Sequence, residues 1–151
     1  MTDEDTPVVL DVLSNDSFEN DGRAVSAIDG TPATVDIPVV VMNGTVTLMA
    51  DGQLRFVPAS NYHGPASSSY TVSAGGVTET EQVDIAIRSL DDAPVNQAPE
   101  GQDTQEDTVL AIGGVSVSDV DSVNLSSTVS VSHGTLSVAT GGGATISGDG
   151  S

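Results

Sequence analysis

The chain contains no cysteine, no tryptophan and no lysine, and its only basic side chains are Arg23, Arg55 and Arg88. Without cysteine, disulfide stapling and zinc–thiolate sites are excluded. Three cationic residues against 22 acids leave a formal charge of −19 over 151 residues. Nucleic acid and anionic membrane surfaces are thereby excluded as partners, because both need lysine or arginine to neutralise phosphate. No apolar run approaches the ~20 residues that span a bilayer, so membrane insertion is not expected. No signal-peptide pattern opens the chain, and Met1-Thr2 running straight into "DEDTP" points to a segment of something longer. Aromatics are limited to Phe18, Phe56, Tyr62 and Tyr70, so a core must be built mainly from valine, leucine and isoleucine. Such an excess of one charge strains a compact state by self-repulsion unless counter-ions are bound, and divalent cations suit carboxylates best.

What is abundant is threonine, serine, glycine and β-branched residues, arranged with a period of two. "PVVLDVL" (7–13) runs into the turn "SND" (14–16). "GTVTLMA" (44–50) places Val46 and Leu48 on one face, and "QLRFV" (53–57) places Leu54 and Phe56 together. Asp51-Gly52 between them predicts a type I′ hairpin turn, which needs positive φ at both central residues. "SYTVSA" (69–74) and "EQVDIAIR" (81–88) follow, the latter with Val83, Ile85 and Ile87 inward. Weaker strands around 24–28 and 34–41 bring the total to about seven in roughly 90 residues, the pattern of an antiparallel immunoglobulin-type sandwich. No segment reads as helix.

The opening of the chain then recurs. "DEDTPVVLDVLSND" (3–16) is echoed by "QEDTVLAIGGVSVSDVD" (105–121), with Glu106 lying 102 residues after Glu4. "NGTVTLMADGQLRF" (43–56) is echoed by "HGTLSVATGGGATI" (133–146) at a shorter spacing. The expected organisation is one near-complete repeat over 1–90, an acidic proline-containing linker over 91–107, and the N-terminal part of a second, shorter repeat over 108–151. Internal repetition of this kind argues for an array rather than an enzyme.

"EDTPVVLDVLSND", "GTVTLMADGQLRFVPASNYHGPASSSYTVSAGG" and "DDAPV" resemble the tandem cadherin-like and immunoglobulin-like repeats, VCBS-type and relatives, of giant bacterial adhesins. "VNQAPEGQDTQEDTVLAIGGVSVSDVDS" and "SHGTLSV" resemble the repeat that often alternates with it. The resemblance implies type I secretion to the bacterial cell surface, calcium-dependent rigidity, and a role as spacer or adhesive stalk, in biofilms among other settings. Two departures stand out. Where the family carries an acidic stretch after "ND", this chain reads "SFENDGR" and keeps Glu19, Asp21 and Gly22. Where the family tends to read "SDGG", Ala74 replaces the aspartate.

The acids gather between residues 91 and 107, which hold Asp91, Asp92, Glu100, Asp103, Glu106 and Asp107 with two prolines and no basic residue. A strand rises ~3.3 Å per residue, so the run 6–13 crosses most of a sandwich. It is expected to carry Asp16 to the far end, where the last strand would also deliver Asp91 and Asp92. Glu106 and Asp107 open the second repeat and face the same junction. Calcium takes 6–8 oxygen ligands from carboxylates, carbonyls and water, which this segment offers. The candidate ligands are therefore Asp16, Asp21, Asp91, Asp92, Glu106, Asp107, Asp119 and Asp121, with Glu4 and Asp5 of lower rank. Glu4 and Asp5 are assigned to a junction with a preceding domain, and Asp119 and Asp121 to the second repeat's far end. A solvated, self-repelling spacer is the competing reading of the same charges.

His63 ("YHGP") and His133 ("SHGT") sit beside glycine in turn contexts, without a nucleophile at any recognisable catalytic spacing. Tyr70 reads as core filling, with a tyrosine-corner role as the alternative. The sequence thus points to a non-catalytic calcium-stiffened stalk repeat, partnered by neighbouring repeats of its own chain and by a host or biofilm surface ligand. A carbohydrate- or protein-binding module within such an array is the alternative, disfavoured by the lack of tryptophan.

Overall fold

The computed structural model describes residues 1–14 and 22–138, in two compact units, Met1–Asp91 and Asp92–Ser151. Among the described residues every regular element is a strand. Unit one holds β1 (Thr2–Asp3), β2 (Val8–Leu10), β3 (Ala24–Ile28), β4 (Thr31–Pro32), β5 (Pro38–Val41), β6 (Gly44–Leu48), β7 (Leu54–Pro58), β8 (Gly64–Ala74) and β9 (Val77–Arg88). They form a five-stranded sheet of order β1-β9-β8-β3-β4 and a four-stranded sheet of order β2-β7-β6-β5. Unit two contributes β10 (Val95–Gln97) and β11 (Ser116–Ser118), an antiparallel pair. Residues 95–97, assigned from sequence to the linker, thus belong to a strand of the second unit.

Period-two patterning explains the sandwich. Along β8 the residues Ala66, Ser68, Tyr70, Val72 and Ala74 are buried while their neighbours are half-exposed. From the other sheet Val46, Leu54 and Phe56 are 1% exposed and meet Ile28, Val72 and Ile85 in one cluster. Tyr70 fills the core as expected, and its hydroxyl also donates to the Val12 carbonyl at 3.4 Å. Asp29, with φ of 43°, closes the turn after β3. Its Oδ1 accepts from the Ser69 amide at 2.6 Å, tying that turn to β8.

Gly44 is demanded by packing. A Cβ there would lie 2.3 Å from the Val57 carbonyl oxygen and 2.8 Å from the Phe56 ring. Backbone and ring both block it, so Gly44→Ala is expected to cost about 1–3 kcal/mol, as overpacking does. Urea denaturation checks this; an unchanged midpoint would show that the strand can shift aside.

Two expectations are corrected. The 49–53 hairpin is not type I′. Gly52 donates its amide to the Met49 carbonyl at 3.0 Å, Met49 donates to Gln53 at 2.9 Å, and only Gly52 of the loop has positive φ, 86°. That is a three-residue loop, a type I turn followed by a left-handed glycine. The positive-φ pair is instead Gly75-Gly76, at 58° and 85°, joining β8 to β9.

The second correction concerns the ends of the sandwich. Gly64 pairs with Ile87, so the 59–63 loop lies at the end where β9 leaves. β2 runs antiparallel to β7 (Val8 opposite Phe56, Leu10 opposite Leu54), so it starts at that exit end and runs away from it. Residues 11–14 therefore reach the opposite end, where a Cβ on Gly52 would touch Leu13 at 3.5 Å. The last strand does not deliver Asp91 to the end at which the 7–13 run finishes.

Candidate functional site

The N-terminal pentapeptide Thr2-Asp3-Glu4-Asp5-Thr6 moves the chain from one sheet to the other, and its geometry places two carboxylates at the exit end. Thr2 Oγ1 donates to the Thr6 carbonyl at 2.8 Å, and the Thr6 amide donates to the Asp3 carbonyl at 3.3 Å. Asp5 takes the left-handed conformation, φ 54°, which aspartate tolerates better than most side chains. β1 lies parallel to the end of β9, Thr2 opposite Ile87 and Asp3 opposite Arg88. The Glu4 amide extends the ladder by donating to the Arg88 carbonyl at 2.9 Å.

Glu4 is 3% exposed. Its Oε1 accepts the Leu90 amide at 2.6 Å, whereas Oε2 is buried with no hydrogen-bond partner. The nearest cationic candidate is His63, whose Nδ1 lies 3.9 Å away on a ring 58% exposed. One oxygen of Glu4 and one of Asp5 lie within 4.8 Å of each other. Asp5 Oδ1 also accepts the Asn61 amide at 3.2 Å, so the 59–63 loop frames both acids. A buried carboxylate oxygen without a donor is costly, since burial removes its water without replacing it. The Asp3–Arg88 pair beside it, at 2.7 Å, is largely solvated and contributes little. Asp91 is exposed and follows Leu90 directly, so it belongs to the same end as Glu4 and Asp5. The assignment of Glu4 and Asp5 to the opposite end of the unit is corrected accordingly.

In unit two the same pentapeptide conformation recurs. Thr104 Oγ1 donates to the Thr108 carbonyl at 3.4 Å, the Thr108 amide donates to Gln105 at 3.3 Å, and Asp107 has φ 57°. Glu106 and Asp107 thus occupy the positions of Glu4 and Asp5, though both are exposed. The threonines two residues before each glutamate fasten the turn, a role that the acid pattern of the sequence does not announce. Their recurrence at the same offset as the acids was the available signal.

Asp92, Asp119 and Asp121 are brought together within unit two. Asp121 Oδ2 accepts the Asp92 amide at 2.7 Å. Asp119 Oδ1 accepts the amides of Asp121 and Ser122 at 2.9 and 2.7 Å. The sequence pattern places Asp119 and Asp121 at that unit's far end. They sit instead beside Asp92, because β11 doubles back on β10 and pairs Ser118 with Val95. Asp16 and Asp21 lie outside the described residues.

Two shallow depressions mark unit one. One, about 220 Å³, is lined by Leu10, Asp11, Val12, Tyr70, Gln82 and Val83. The other, about 400 Å³, lies against Met42, Pro65, Asp84 and Ala86 among others. No helix among the described residues is long and apolar enough to cross a membrane.

The model of the family described as bacterial Ig domain matches residues 1–86. No curated protein matches the chain, and no solved structure matches it.

Proposed function

The chain belongs to the bacterial Ig domain family, and we propose that it serves as a non-catalytic stalk repeat of a bacterial cell-surface adhesin, stiffened by calcium. Bacterial Ig domains are generally non-catalytic structural modules, typically of surface or extracellular proteins. The observation that carries the calcium reading is Glu4 Oε2, buried without a hydrogen-bond partner and near Asp5. An oxygen-only donor set of this kind suits a hard cation. Glu4 and Asp5 would hold it at the exit end of unit one. What the ion would supply is charge neutralisation where the chain has no lysine. In an array of such repeats, that neutralisation would stiffen the acidic ends of each repeat, with neighbouring repeats of the same chain as partners.

Extracellular modules bind calcium at about 10⁻⁴–10⁻³ M. At ten times Kd, each site adds about 1.4 kcal/mol of stability. Thermal melts of the whole chain in EDTA, in ~5 mM calcium and in ~5 mM magnesium test the proposal, since ~5 mM saturates sites of this class. The expected result is a rise of several degrees specific to calcium. Identical melts in all three would reject calcium and bring forward a carbohydrate- or protein-binding module, for which a glycan array is the direct screen.

A further inference from the structure

The ladder between β8 and β9 is continuous, from Gly64 opposite Ile87 to Ala74 opposite Val77, without a register shift. Its two-residue turn, Gly75-Gly76, makes Ala74 and Val77 a hydrogen-bonded pair. Alternation along an antiparallel ladder then fixes where every backbone group of β9 points. Val77, Glu79, Glu81, Val83, Ile85 and Ile87 spend their amides and carbonyls on β8. Thr78, Thr80, Gln82 and Asp84 direct theirs off the other side. Arg88 shares the parity of this second set, and its carbonyl does accept from Glu4 across that edge.

β1 covers β9 only at Ile87 and Arg88. Among the described residues no strand pairs with the stretch from Thr78 to Asp84 on that side. The open edge is roughly 20 Å long at the rise of a strand. Natural edges are blunted by shortness, proline, a bulge or charged side chains, inward-pointing ones included. Residues 77–86 have no proline, no lysine and no bulge, and the sheet's bulge falls in β3, between Val25 and Ala27. What the edge has is acid: Glu79, Glu81 and Asp84 are all exposed. The depression beside Gln82 and Val83 adds the exposed Asp11 at its rim. Paired against a second copy, with its own share of a −19 chain, such an edge would set like charges facing each other. Against lysine or arginine it becomes favourable cross-strand pairing.

We propose that β9 from Thr78 to Asp84 is a docking edge for an extended basic peptide segment of another protein, which joins the five-stranded sheet in line with β1. Backbone bonds to Thr78, Thr80, Gln82 and Asp84 hold the strand. Glu79 and Glu81 select lysine or arginine at alternate positions on one face, and Val77 and Val83 select apolar residues flanking them on that face. The other face of the added strand runs alongside the hydroxyls of Thr78 and Thr80. This inference is independent of calcium.

The test uses the whole chain, isotope-labelled, and a synthetic peptide of sequence Val-Thr-Lys-Thr-Lys-Thr-Val, followed by amide hydrogen exchange. In the free chain the amides of Thr78, Thr80, Gln82 and Asp84 are expected to exchange fast while those of Glu79, Glu81 and Val83 are protected. The peptide should slow the first four by roughly tenfold or more. A glutamate-for-lysine peptide should not, nor should one N-methylated at its edge-facing amides. Glu79→Lys with Glu81→Lys, both on exposed positions, should invert the preference between the two charged peptides. Equal binding of the N-methylated peptide would reduce the effect to charge attraction and overturn the proposal, as would no change at those four amides. Edge amides already protected without peptide would overturn it too, pointing to this chain's own residues or, if protection grows with protein concentration, to a second copy.

Discussion

Replacing Phe56 by alanine is expected to destabilise the first unit by about 3–5 kcal/mol, the usual cost of emptying a phenylalanine site in a core. Phe56 is 1% exposed. It stands in mid-strand, opposite Val8 on β2 and Val46 on β6. Its ring also fills the space that Gly44 leaves open. Tyr70, the other ring buried in the cluster, is held by its hydroxyl on the Val12 carbonyl. Domains of this size hold a net stability of about 5–15 kcal/mol, so the loss is a large share of the total. For 60–100 residues each kcal/mol shifts Tm by roughly 4–8 °C, so a fall of well over 10 °C is the expected reading. Urea unfolding at unchanged slope would confirm that stability alone has changed. A loss below about 1 kcal/mol would mean that the two sheets do not meet at Phe56.

The second large effect is expected at Glu4, and its sign depends on the solution. Glu4→Gln keeps a carbonyl to accept the Leu90 amide now bonded at 2.6 Å, while removing a charge whose other oxygen has no partner. In EDTA the variant is therefore expected to match or exceed the parent's stability, since a buried charge with an oxygen lacking any hydrogen bond costs more than a neutral amide. In calcium at ten times Kd the parent should gain about 1.4 kcal/mol that the variant lacks. The two melting curves should cross over between the two buffers. Parallel curves, with both proteins gaining equally from calcium, would take Glu4 out of the ligand set and leave the ion to other carboxylates.

Much of the sandwich was legible because burial writes a period-two code. Val46, Leu48, Leu54, Phe56, Ile85 and Ile87 are all buried as their alternation predicted, and β3 covers 24–28 as expected. Strand ends were less legible. β8 and β9 extend well beyond 69–74 and 81–88, because hairpin pairing carries polar residues such as Ser67 and Thr80 that have no apolar alternation to announce them. β1 and β4 are two residues each, too short to hold a period. At the candidate site, acid content was readable but its placement was not. Which end receives Asp91 depends on whether the first strand starts or finishes beside the last one. Glu4 settles that by pairing with Arg88, a contact between residues 84 apart in a chain with no local signature for it. In the recurring Thr-x-Glu-Asp-Thr turn the acids announce themselves by charge, whereas the threonine that closes it works through a backbone carbonyl.

The two-residue strand β1 has a mechanical consequence. It lies parallel to the end of β9, so tension applied at Met1 and at the segment leaving Leu90 would drag these neighbours in opposite senses along their length. The bonds between them, together with the Glu4 carboxylate on the Leu90 amide, would be sheared as a group. A hairpin pulled from its open end instead unzips one rung at a time. Resistance to stretching is governed by the unfolding rate rather than by equilibrium stability. How long this unit holds under load would therefore be set at Thr2, Asp3 and Glu4.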